Sequence, residues 1–157
     1  MKRILLYAAL ILAFDQATKF WIVEAMNLRN VLAIDVFPPF LNFRMAWNEG
    51  INFGLLSGLG IDAMRWILIS VALAISAWVL WWGRSFNGWF GSLLVSMIVG
   101  GAIGNTIDRF RYGAVADFLN MSCCGYRNPY SFNVADIAIF VGAIGLVLFS
   151  ERLSRKA

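Results

Sequence analysis

The sequence predicts an all-α integral membrane protein: four transmembrane helices carrying a small extracytoplasmic platform that contains β-structure. Three observations predict it. Hydrophobic residues make up 61% of the 157 residues and charged residues only 14%, against roughly 45–50% and about 25% in a soluble globular domain. Four stretches approach the roughly 20 mostly apolar residues that a membrane-crossing helix needs. The segments between the first and second stretches and between the third and fourth are rich in aromatic, polar and proline residues. The length fits one membrane domain over residues 1–157.

The first span covers about 4–23 and is interrupted by Asp15 and Lys19. Lys2 and Arg3 ahead of an apolar run imitate a signal peptide, but no small-x-small cleavage site follows and the run resumes at Phe20, so a retained helix is expected. The second span, about 66–82, is uncharged between Arg65 and Arg84. The third, about 89–107, is uncharged and rich in Gly and Ser. The fourth, about 132–150, carries one charge, Asp136. Loops of about 25–60 and 108–131 remain. In the first, Pro38-Pro39 breaks any helix, and Phe40 to Trp47 alternates like a short strand with Phe43, Met45 and Trp47 on one face.

An even number of spans puts both termini on one side. Lys2, Arg3, Arg84, Arg152, Arg155 and Lys156 crowd short flanks on that side, whereas Arg29, Arg44, Arg65, Arg109, Arg111 and Arg127 are spread over the long loops. Short flanks weigh more in setting orientation, so cytoplasmic termini and an outward-facing platform are expected. The net charge of +4 suits a surface of anionic lipid, while the scattered basic residues form no stripe for nucleic acid. The absence of His removes His-ligated metals and Ser-His-Asp catalysis, and the adjacent Cys123 and Cys124 are not a spaced metal set. No cofactor is expected.

A charged residue at a helix centre costs about 2.5–3.5 kcal/mol on insertion scales, so polar residues in the spans need a reason. They are Asp15, Gln16, Thr18 and Lys19 in the first span, Asn105, Asp108 and Arg109 at the end of the third, and Asn133 and Asp136 opening the fourth. With inward termini all fall at one level near the outer interface. Asp15 and Lys19, spaced i,i+4, share a face; they are either a self-neutralised pair reaching for the headgroups or a buttress for other polar groups. Ser92, Ser96, Gly100 and Gly104 form a small-residue stripe suited to close helix packing. Gly101, Asn105 and Arg109 form a parallel line that could carry polar groups on a neighbouring face. Asn133 and Asp136 match a capping box, and Asp117 reads alone as a solvated loop carboxylate. Together, two carboxylates sharing a site separate their pKa values and supply an acid and a base, the strongest such machinery available without His. A four-helix transporter coupling through Asp15 and a membrane scaffold are the competing readings.

At these residues the chain resembles the bacterial lipoprotein signal peptidases (signal peptidase II). The segments, in order, are Asp15-Gln16-Ala17-Thr18-Lys19, Asn48-Glu49-Gly50-Ile51-Asn52-Phe53-Gly54, Gly100 to Arg109, Val115-Ala116-Asp117-Phe118 and Phe132-Asn133-Val134-Ala135-Asp136. The resemblance implies a monomeric aspartic endopeptidase of the bacterial inner membrane, working among membrane lipids without metal or cofactor. It would remove the signal peptide of a prolipoprotein just before a cysteine carrying diacylglycerol. Carried over by motif, Asp117 and Asp136 are the catalytic pair. Asn48, Asn105, Arg109 and Asn133 line or support the site, and Asp15 and Lys19 stabilise it. Gly50, Gly104, Asp108 and Ala135 join the supporting set through the same motifs. Two departures from the family pattern are Asn52, where a small apolar residue is usual, and Cys123-Cys124 between the two aspartates.

Overall fold

The computed structural model describes residues 1–50, 60–86 and 88–154. Asn52, the loop motif beyond Gly50, Arg155 and Lys156 lie outside the described residues. Helix α1 (Lys2–Lys19) continues as a π-helical turn (Phe20–Ala25), followed by short α2 (Leu28–Val31), β1 (Ala33–Phe37), β2 (Leu41–Asn48), α3 (Ile61–Gly83), α4 (Trp89–Tyr112), β3 (Val115–Asn120) and α5 (Val134–Ser154). Four helical segments are long and apolar enough to cross a membrane: Lys2–Ala25, Asp62–Gly83, Trp89–Tyr112 and Val134–Leu153.

Helix α4 is the central one: 67% of its span is buried, against 22–28% for the others. Small residues make that possible. On the α1 side, Ser96 Oγ donates to the Ile4 carbonyl at 2.9 Å, and a Cβ at Gly100 would come within 2.7 Å of the Ala8 carbonyl oxygen. On the α5 side, a Cβ at Gly101 would lie 2.5 Å from the Ala135 carbonyl oxygen, and one at Gly142 2.8 Å from that of Leu94. Helix backbones in lipid approach this closely where side chains are small or absent, and dispersion and interhelical hydrogen bonds then take the place of the hydrophobic drive. The order of these contacts makes α1 parallel to α4 and α5 antiparallel to it. Val79, Leu94, Val95, Ile98 and Leu146 fill the core between them, while Leu10, Phe14, Trp78 and Val147 point outward, as lipid-facing residues should.

At one end of the bundle lies an antiparallel sheet of order β1-β2-β3. Phe43 and Met45 pack, as the alternation predicts, against Ile22, Val23, Leu28 and Phe118. Trp47 departs from that face and meets Tyr112, ring centroids 5.3 Å apart. The cause is a register shift between Phe43 and Ala46, since an extra residue in one strand rotates the residues beyond it.

Several expected boundaries are corrected. The third span does not end near 107 but runs to Tyr112, so Asp108 and Arg109 belong to α4 rather than to the 108–131 loop. The helix stops at Gly113, which adopts φ 82° and donates its N–H back to the Arg109 carbonyl at 3.1 Å, a left-handed cap glycine supplies without strain. Helix α3 begins at Ile61 rather than 66; Arg65 is tolerated inside because its Nη2 donates to the Phe110 carbonyl at 2.6 Å. Helix α5 spans Val134–Ser154 rather than 132–150, starting after its cap at Asn133. The two expected loops also hold α2, β1 and β3, which local pattern did not signal; β3 is buried on both faces and lacks alternation.

Candidate active site

Where α1, α4 and α5 meet the sheet, a chain of buried polar groups begins with a three-membered ion cluster. Lys19 Nζ lies 2.9 Å from Asp15 Oδ2 and 2.7 Å from Asp108 Oδ2, and donates to Asn105 Oδ1 at 3.2 Å. All three ammonium protons are thereby engaged. Asp15 is fully enclosed and Lys19 is only 6% exposed, so the alternative in which the pair reaches for headgroups is wrong: the second carboxylate holds the ammonium inside. Asp15 Oδ1 accepts the Ala135 N–H at 2.9 Å, and Asp108 Oδ2 accepts the Ala116 N–H at 3.2 Å. The cluster therefore pins the backbone of the residue before Asp136 and of the residue before Asp117. Gly104 allows this approach, since a Cβ there would stand 2.5 Å from Asp15 Oδ2 and close to the Ala135 methyl.

The two aspartates are joined through Asn133. Its Nδ2 donates to Asp117 Oδ1 at 2.6 Å and to Asn105 Oδ1 at 3.1 Å. Its Oδ1 accepts the Asp136 N–H at 2.9 Å, while Asp136 Oδ2 accepts the Asn133 N–H at 3.1 Å. This is the reciprocal capping box the sequence pattern offered, but Asp136 does more than cap, because its Oδ1 accepts from Asn105 Nδ2 at 2.8 Å. Asp117 is 3% exposed; its Oδ2 accepts from Asn48 Nδ2 at 3.1 Å. Gly50 sets that amide by donating its N–H to Asn48 Oδ1 at 3.0 Å. It adopts φ 81°, and a Cβ there would press on the Leu68 side chain, so glycine suits the position best.

Burial in the sheet and the negative charge of Asp136 push the Asp117 carboxyl up to about 7, despite hydrogen bonds from Asn48 and Asn133 that favour its charged form. Arg109 lies within the field of Asp117, Asp136 and Asp108, and its Nε is buried without a hydrogen-bond partner among the described residues. The structure thus brings all twelve sequence-identified positions into one region.

Two openings reach the pair. Asp117 lines a partly polar cleft of about 360 Å³ with Ala46, Trp47, Asn48, Tyr130 and Ser131. Asp136 lines an apolar groove of about 330 Å³ with Phe132, Ile137 and Phe140. A water and a peptide bond between the two would meet two carboxyls in unlike surroundings, an arrangement able to supply an acid and a base for hydrolysis. Gln16, noted in the sequence as a polar residue of the first span but not placed in the supporting set, donates from Nε2 to both Asp15 Oδ2 and Asp108 Oδ1 at 3.2 Å. A carboxamide beside a charged pair in a membrane span was itself the signal.

Comparison with solved structures first defines the class, that of bacterial membrane enzymes. One such enzyme, determined by the in meso method at 1.9 Å, superposes with a TM-score of 0.78 at 27% identity, covering 94% of this chain and 92% of the other. A second, at 2.3 Å, gives 0.75 at 28% identity over 100% and 93%. The family profile described as signal peptidase (SPase) II matches residues 7–151. A lipoprotein signal peptidase of Methylorubrum extorquens is 40% identical over 93% of this chain and 84% of its own length. One of Xylella fastidiosa is 40% identical over 93% and 86%. The chain belongs to the signal peptidase II family.

Proposed function

We propose that this protein is an aspartic endopeptidase that removes the signal peptide from prolipoproteins, cutting before the cysteine that carries diacylglycerol. The observation that carries the reading is the Asn133-linked carboxylate pair, with Asp117 open to a partly polar cleft and Asp136 to an apolar groove. A lipid-anchored peptide has that same division, its signal segment and acyl chains apolar and its mature segment polar. In this reading Asp136 takes a proton from the attacking water. Asp117, protonated around neutral pH, gives its proton to the carbonyl oxygen; as the resulting diol collapses, Asp117 takes that proton back and Asp136 passes the water's proton to the leaving amine. Arg109, with its unpartnered Nε, faces the oxyanion as charge develops.

The protein works as a monomer in the inner membrane with both termini cytoplasmic and the sheet on the outer face, an orientation supported by the dense basic flanks. A transporter coupling through Asp15 is disfavoured, because that carboxylate is sealed and saturated by Lys19, Gln16 and the Ala135 N–H. The test is a gel-shift assay of purified protein on a lipidated lipobox substrate. Asp117→Asn and Asp136→Asn should each abolish turnover while retaining substrate, and the double variant should be no worse than either single one. Cleavage by either variant above about a thousandth of the parent rate exceeds what half an acid–base pair should leave and would refute the assignment.

A further inference from the structure

Beyond the Asp117 cleft the sheet carries a second cavity. It measures about 490 Å³ and is lined by, among others, Asp35, Asn42, Arg44, Asn120, Arg127 and Pro129. Pro129 also lines the Asp117 cleft, so the two cavities are neighbours on either side of that residue. None of the mechanism above uses these residues. Asn42 is 6% exposed; its Nδ2 donates to the Pro39 carbonyl at 3.3 Å, which fixes the amide and leaves Oδ1 buried with no partner among the described residues. A buried acceptor held open in this way is costly unless something donates to it. Arg44 pairs with Asp35 only loosely, at 3.6 Å between exposed side chains. Arg127, exposed, lines the same cavity and makes no hydrogen bond or ion pair among the described residues.

We infer that this second cavity is an exosite for the mature segment of the substrate, selecting an extended peptide with an acidic side chain. The inference rests on the proposed cleavage reaction. The unpartnered Asn42 oxygen takes a backbone N–H, and the two guanidinium groups take a carboxylate, the geometry arginine matches best. The register gives the distance. Ala46 stands opposite Asp117 and Asn42 opposite Asn120, so the exosite lies about four residues, or roughly 13 Å, along β2 from the catalytic level. An extended peptide covers that in about four residues. The favoured acid therefore falls about three to five residues past the cut. Its apolar neighbour on the other side, the groove at Asp136, leaves only the mature side to enter here.

The experiment uses the full-length protein in zwitterionic bicelles and three lipidated lipobox peptides with Ser, Asp or Lys at the third to fifth positions after the cut. The Asp peptide should show a KM about tenfold below that of the Lys peptide with kcat unchanged, each guanidinium contributing roughly threefold. Arg44→Ala with Arg127→Ala should erase the difference, and Arg127→Glu alone should reverse its sign. Equal KM values for all three peptides, within twofold, would overturn the exosite while leaving the cleavage reaction intact. A Ser peptide that is not cut at all would overturn the cleavage reading beneath it. A KM that follows added anionic lipid but ignores peptide charge would assign the arginines to headgroup phosphate and likewise overturn the inference.

Discussion

Replacing Asn48 by Leu tests the electrostatics of the proposed catalytic pair without touching either carboxylate. Asn48 donates one of two side-chain hydrogen bonds to Asp117, 3.1 Å to Oδ2, and that bond favours the ionised form. Leucine keeps the same branched heavy-atom skeleton but has no donor, so the neutral form gains. A hydrogen bond to a charged group contributes about 1.5–3 kcal/mol, and 1.36 kcal/mol corresponds to one pH unit. Because Asn48 is only half-buried, the lower end applies, about one unit. The sign follows from the proposed role. Asp117 must be protonated to act as acid, so activity falls as pH rises through its value of about 7. In the variant that alkaline limb should move up, to near pH 8. The assay is kcat/KM on a lipidated fluorogenic peptide from about pH 5 to 9, in detergent of fixed composition. The rate at the optimum will also drop, since Asn48 lines the cleft, but the position of the limb is independent of that loss. A limb that stays at its parent position, or moves down, would show that Asp117 is not the titrating acid.

In the ion cluster, Lys19→Met should destabilise the detergent-solubilised protein by about 3–5 kcal/mol, because it strands two buried carboxylates; Asp15→Asn should cost less, since Asp108 keeps the ammonium paired at 2.7 Å. Thermal unfolding that ranks Asp15→Asn as the worse of the two would contradict the cluster. Serine at both Cys123 and Cys124 should leave cleavage within a few fold, since both thiols are exposed and the proposed mechanism needs none; total loss at normal protein level would overturn this. In that background, a single cysteine at position 84 should react with an impermeant thiol reagent only from the cytoplasmic side, and labelling solely from outside would invert the topology.

How much of this was legible beforehand depended on range. Span number followed from apolar content, because lipid leaves the backbone few alternatives to a helix. The stripe Ser92, Ser96, Gly100, Gly104 and the line Gly101, Asn105, Arg109 were readable because i,i+4 spacing fixes a face; the first meets α1 and the second turns toward α5. What the pattern could not supply was pairing across distance. Lys19 with Asp108, and Asn48 with Asp117, are 89 and 69 residues apart in sequence, and no local period encodes them. β3 was missed for the same reason, since both its faces are covered and it shows no alternation. The end of α4 was misplaced because Asp108 and Arg109 look like a helix exit until their partners are known.

Asn133 has a consequence for the making of the protein. It is at once the cap of the last membrane-crossing helix and the link between the two aspartates. Asp136 is aimed only when the first turn of α5 is wound, and Asp117 finds Asn133 only when that turn sits against β3. If the two aspartates carry the reaction as proposed, a chain whose spans enter the membrane in order would be inert until the fourth arrives, and α5 would then assemble the cutting site as it docks.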